Sequence, residues 1–149
     1  MAMFKKILVP VDGSAPSDAA VTLAVRLAHD QDAKLVFLHV SEVAKIAAMV
    51  SSTAVCVDPS PALDAEQAAG EDALRRAETV ARKNAVPVES LLVEGASADS
   101  IVKTSSQKGV DLIVMGSHGR GGIQRALLGS VAEGVLRQST VPVLVARVH

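Results

Sequence analysis

Five short, β-branched apolar runs punctuate the chain: Ile7 to Val11, Leu35 to Val40, Val88 to Val93, Leu112 to Met115 and Val141 to Val145. They are continuous rather than alternating, the pattern of strands covered on both faces, as in a parallel sheet. Between them, apolar residues recur at helical spacing. Ala20, Leu23, Ala24, Leu27 and Ala28 share one face of a helix that starts near Ser14, whose hydroxyl suits an N-cap. Ala73, Ala77, Val80 and Ala81 mark a second helix, from about Asp64 to Asn84. A third runs from about Ala98 to Gln107 and ends near Gly109. The fourth carries Val131, Ala132, Val135 and Leu136, and its opening Ser130-Val131-Ala132-Glu133 has the spacing of a capping box with Ser130 as cap.

Strands and helices that alternate at this length require right-handed crossovers. The expected fold is α/β: an open five-stranded parallel sheet with helices on both faces. With strand order 3-2-1-4-5, the order reverses between strands one and four, and ligands in such sheets bind beyond the carboxyl ends at that point. Pro142 fits the start of an edge strand, whereas Pro10 implies irregular backbone at the end of strand one. The segment Ser41 to Pro61 has no period and reads as a variable excursion after strand two, with room for a short helix. No repeat or linker divides the chain, so residues 1–149 read as a single domain.

Composition narrows the function classes. The 149 residues are 49% hydrophobic and 21% charged, enough apolar material for one core. A net charge of −1, two Phe and no Trp or Tyr supply neither the basic footprint nor the stacking surface that nucleic-acid binding needs. The lone Cys56 excludes an internal disulfide and a cysteine zinc site and suits a reducing compartment. The run from Ile46 to Val57 is too short to span a bilayer, and Ile7 to Val11 is too short for a signal core. The expectation is a cytoplasmic protein without membrane or nucleic-acid partners.

The chemistry concentrates in Met115-Gly116-Ser117-His118-Gly119-Arg120-Gly121-Gly122 and the later Gly129-Ser130, which join strand four to helix four. A phosphate site needs close backbone approach, which glycine permits, and convergent N–H donors, which a helix N-terminus supplies along with its positive dipole end. Gly129-Ser130 meets both demands. Pro10-Val11-Asp12-Gly13-Ser14 ends strand one at the same crevice. The P-loop pattern is missing, and strand one does not lead into Gly-x-Gly-x-x-Gly, which argues against a P-loop NTPase and a dinucleotide dehydrogenase.

These residues carry a resemblance. Lys6 to Ser14 is similar to the first strand and turn of universal stress proteins, and Asp111 to Gly119 to their fourth strand; the likeness extends from Lys5 to Val145. The family's nucleotide signature is Gly, two residues, Gly, nine residues, Gly, then Ser or Thr. Here Gly116, Gly119, Gly129 and Ser130 match it. The resemblance implies the ATP-binding branch of the family, a Rossmann-like fold of the adenine nucleotide alpha hydrolase type, and bound ATP, ADP or AMP with Mg²⁺ arriving on the nucleotide. It implies that Pro10, Val11, Asp12 and Val40 line the nucleoside side, with Met115 and Gly116 against ribose and adenine. Gly119, Gly129, Ser130 and Val131 would hold phosphates. It also implies a homodimer through Val141 to Val145, the strand whose apolar edge would otherwise be an aggregation hazard.

Each residue has a plainer reading beside the functional one. Asp12 suits a ribose or a phosphate-bound Mg²⁺, or only turn and cap chemistry. Arg120 and Arg125 fit phosphate neutralisation or ordinary loop exposure. His118 is better read as hydrogen-bonded or solvent-facing than as a general base, and His39 as a satisfied core histidine. No His/Asp/Glu set has metal-ligand spacing. Three functions fit: a nucleotide-linked stress-response dimer acting on an unknown protein partner, a slow ATPase or adenylate-transferring enzyme, and a nucleotide-free dimeric interaction module.

Overall fold

The structure is a computed structural model that describes residues 2–52, 57–118 and 128–148. Among the described residues the elements are β1 (Lys6–Pro10), α1 (Ala15–Gln31), β2 (Lys34–Ser41), α2 (Val43–Ser51) and α3 (Ser60–Lys83), then β3 (Val88–Glu94), α4 (Ser97–Lys108), β4 (Leu112–Gly116), α5 (Ser130–Gln138) and β5 (Val143–Ala146). The five strands form one parallel sheet in the order β3-β2-β1-β4-β5. All five expected strands are present, within two residues at each end.

The apolar runs are buried on both faces, as their continuity demands. Ile7, Val9, Leu35, Phe37, Leu112 and Val114 pack with α1 and α3 through Ala20, Ala24, Leu74 and Ala77. Their strand neighbours Leu8, Val36, Leu38, Ile113 and Met115 point the other way, onto Ile101 of α4 and Ala132 and Val135 of α5. Successive residues of a strand face opposite sides of the sheet, so each run serves two layers.

Ends of elements follow local chemistry. Ser14 caps α1, its hydroxyl accepting from the Ser17 N–H, and Gly109 closes α4 at φ 62°. The start of the sheet is tied by Asp111, whose Oδ2 accepts from the N–H groups of Lys5 (2.7 Å) and Lys6 (3.0 Å). Pro142 directly precedes the edge strand β5 and still offers its carbonyl to Ile113 N–H.

Two differences from the sequence reading concern helices. The Ser41 to Pro61 excursion contains α2 and the start of α3, which begins at Ser60 rather than Asp64. Pro61 occupies the first turn of α3, where its missing N–H costs nothing. Ser130 is not a cap. Gly129 takes the cap position of α5 in extended backbone, and Ser130 is the first helical residue, exposed and without a capping side-chain bond. The Ser-x-x-Glu spacing is there, but it lies one residue inside the helix, where Glu133 N–H bonds to the Gly129 carbonyl.

Candidate functional site

The carboxyl ends of β1, β2 and β4 border a cavity of about 540 Å³. Because the order reverses between β1 and β4, the connections from these strands leave toward opposite faces and open a crevice between them. Pro10, Val11 and Asp12 form one wall, Val40 another, and Met115, Gly116, Gly129, Ser130 and Val131 a third. Nine of the eleven residues singled out from the sequence therefore converge. The other two, Gly119 and Arg120, lie outside the described residues, as do Arg125 and Cys56.

The glycines act for different reasons. A Cβ on Gly116 would stand 2.7 Å from the backbone carbon of Pro16, so this glycine lets β4 pass against the first turn of α1. A Cβ on Gly129 would meet the Ser117 carbonyl oxygen at 3.1 Å and His118 Cα at 3.2 Å, a close crossing of two backbones. Gly129 N–H itself donates to that Ser117 oxygen at 2.7 Å. It is thus engaged within the protein rather than aimed at a phosphate. The donors that α5 presents come from its first turn, Ser130, Val131 and Ala132, whose N–H groups lack intrahelical acceptors.

Asp12 takes up turn chemistry: its Oδ1 accepts from Ser14 N–H at 2.9 Å and its own N–H donates to Ser17 Oγ at 3.1 Å. Gly13 next to it sits at φ 79°, a conformation glycine adopts without strain. Asp12 also lines the cavity. His118 also lines it, with Nδ1 2.9 Å from Ser117 Oγ and a buried Nε2 that has no hydrogen-bond partner among the described residues.

Part of the wall was not foreseen. Glu42, Lys45, Ile46 and Met49, from the start of α2 and its inner face, complete the rim, and Glu66 of α3 reaches the floor beside His39. Glu42 is anchored: its Oε1 accepts from Ser97 N–H (3.2 Å) and Oγ (2.8 Å), and its Oε2 pairs with Lys45 at 3.3 Å. Partial burial works against its charge, but the hydrogen bonds from Ser97 and the Lys45 ammonium prevail and hold its carboxyl below the usual range. The described walls thus carry three carboxylates, Asp12, Glu42 and Glu66, against one lysine.

The model of the Universal stress protein family matches residues 3–147. This chain belongs to that family. Among its relatives, universal stress protein YxiE of Bacillus subtilis is 37% identical over 149 residues, covering 97% of this chain and all of the relative. The structure of the universal stress protein UspA from Lactobacillus plantarum is 30% identical, covers 99% of this chain and all of that one, and superposes with a TM-score of 0.81. A third protein, a universal stress protein solved in complex with cAMP, is 27% identical with a TM-score of 0.66 and covers 97% of both chains. The universal stress proteins thus share the fold described above, and one of them carries a cyclic adenine nucleotide. No described helix is long and apolar enough to cross a membrane.

Proposed function

We propose that this universal stress protein binds an adenine nucleotide in the cavity at the ends of β1 and β4, with ATP as ligand and Mg²⁺ brought by its phosphates. The observation that carries the reading is the complete Gly116, Gly119, Gly129-Ser130 spacing in a chain whose α5 opens onto that cavity. The cAMP complex of a related protein supports an adenine nucleotide as the ligand class. Val11 and Val40 would face the nucleoside, and the first turn of α5 with the Ser130 hydroxyl would face the phosphates. The described walls carry three carboxylates against one lysine, so Mg²⁺ would supply counter-charge for a triphosphate there. Asp12 is the carboxylate for the ribose or that ion.

The chain then acts as a single-domain cytoplasmic dimer joined through β5. Nucleotide favours one conformation and changes the surface offered to a protein partner. Calorimetry on nucleotide-stripped protein tests this, with Mg·ATP raised to the millimolar range. Saturable binding is expected, and Gly129→Val should weaken it at least about tenfold, because a branched side chain forces Ser117 and His118 away from the first turn of α5. Absence of binding heat in the wild type overturns the reading.

A further inference from the structure

His39 is 2% exposed and ends up with both ring nitrogens engaged. Nδ1 lies 2.8 Å from the Val11 carbonyl oxygen and Nε2 3.0 Å from Glu66 Oε1. Around this ring, α3 is shaped to fit. Glu66 and Gly70 lie one helical turn apart on the same face. A Cβ on Gly70 would stand 2.3 Å from the ring's Cδ2, so the helix backbone rests directly on the imidazole. Val11 in turn donates its own N–H to Leu38 O at 2.8 Å. The first residue after β1 is therefore held from β2 twice, once by backbone and once by the His39 ring, and it forms part of the cavity wall.

The proton count is what makes this arrangement informative. A carbonyl oxygen only accepts, so Nδ1 must carry a hydrogen. An ionised carboxylate also only accepts, so Nε2 facing it must carry one too. A neutral imidazole has one N–H and can satisfy only one of the two oxygens. The His39–Glu66 pair satisfies both only while it holds an additional proton, whether on the ring or on the carboxyl. Loss of that proton sets a lone pair against an oxygen in a buried place, where an unmade hydrogen bond is expensive.

We propose that His39 and Glu66 are positioning residues for the cavity: the proton they share keeps the Val11 wall and α3 in register, and its loss lowers ligand affinity. This rests on the adenine-nucleotide reading of the site. Among the described residues, the other ionisable groups around the cavity are Asp12 after β1, Glu42 and Lys45 on the α2 side, and His118 after β4; in the neighbouring strand, the β3 residue opposite His39 is the non-ionisable Leu92.

Glu66→Gln tests the proposal, because its amide N–H can donate to a neutral ring at Nε2 while Nδ1 still serves Val11. That variant has no shared proton to lose. Wild type and variant are compared by melting temperature without ligand, and by Mg·ATP affinity, from about pH 5 to about pH 9, a span that contains the interval of about pH 5 to 8 in which histidine side chains as a class change charge. Titration of the phosphates and of the other cavity groups is common to both proteins and cancels in the comparison. As the pH rises, the wild type should lose melting temperature relative to Glu66→Gln. Its affinity should also fall by about tenfold more, the scale of one hydrogen bond to a charged group. Glu66→Leu, which offers Nε2 no partner, should bind weakly across the whole interval. Parallel profiles for wild type and Glu66→Gln overturn the proposal, as does unimpaired binding by Glu66→Leu. Absence of ATP binding in the wild type at every pH overturns the nucleotide reading instead, while the melting comparison still decides the pair.

Discussion

At the scale of single residues, this protein shows how one atom too many is decided by its neighbours. Gly70 sits in the middle of the 24-residue helix α3, where glycine normally costs about 1 kcal/mol relative to alanine. Propensity alone predicts that Gly70→Ala stabilises the fold. The contact with His39 reverses the sign: the added methyl must displace a buried, doubly bonded ring or lift the helix. We expect a net loss of about 1–3 kcal/mol in denaturant unfolding, within the range of overpacked cores. A gain in stability would show that the ring yields freely. Residue-level legibility was uneven for the same reason. Ser14 as a cap, and His39 as a satisfied buried histidine, were readable because local sequence states the chemistry. Glu66 as the partner of His39 was not, since 27 residues separate them and only the α3 crossing brings them together. Ser130 misled because capping-box spacing at a helix start does not say which residue stands outside the first turn.

At the scale of elements, α2 is the part that pattern reading could least resolve. It contributes no fully buried residue, only a half-buried stripe of Val43, Ile46, Ala47 and Val50, yet it builds one rim of the cavity. Beside its packing against α3, it is tied by Glu42, the residue that precedes it, to the first residue of α4. Because Glu42 is held below the usual carboxylate range in the folded protein, its contribution to stability is complete above the unfolded-chain value. It is lost as pH falls through the folded one. Glu42→Gln should therefore lower the melting temperature at neutral pH and converge with the wild type in acid. Thermal melts from neutral to strongly acidic pH check this, and parallel curves would remove the tether from the account. The strands and α1, α4 and α5 were legible because both-sided burial and helical period leave strong marks in sequence. The cavity's far wall was not, because its residues are polar or half-exposed and belong to a segment without period.

At the scale of the whole molecule, the sheet has two unequal margins. On one side β3 ends the sheet, with Glu89 paired to Lys34 and Lys108, the kind of charge that discourages further strand pairing. On the other, β5 is a four-residue strand whose Leu144 is 39% exposed. Each margin exposes one large apolar side chain, Leu92 on β3 and Leu144 on β5, but only β3 of the two strands carries paired charge, at Glu89, so β5 is the edge at which we place the second copy. Leu144→Lys should convert a dimer into a folded monomer in sedimentation velocity, with its melting curve still cooperative. An unchanged dimer would move the interface elsewhere, and a wild type that is already monomeric would remove the dimer from the reading. The open parallel sheet was legible from alternation; the order 3-2-1-4-5 entered as a premise that the structure bears out, and the β5 margin was what the family resemblance implied.

The direction in which β5 runs has a consequence for such a pair. Two identical edges joined into one continuous sheet by a two-fold axis perpendicular to that sheet run antiparallel. All five strands of each copy are parallel, so one copy's carboxyl ends point up while its mate's point down. The two hollows then open at opposite rims of the doubled sheet, and no occupant of one can touch the other. Any message between them would have to travel through the seam itself, as a shift in how β4 and β5 lie within each half.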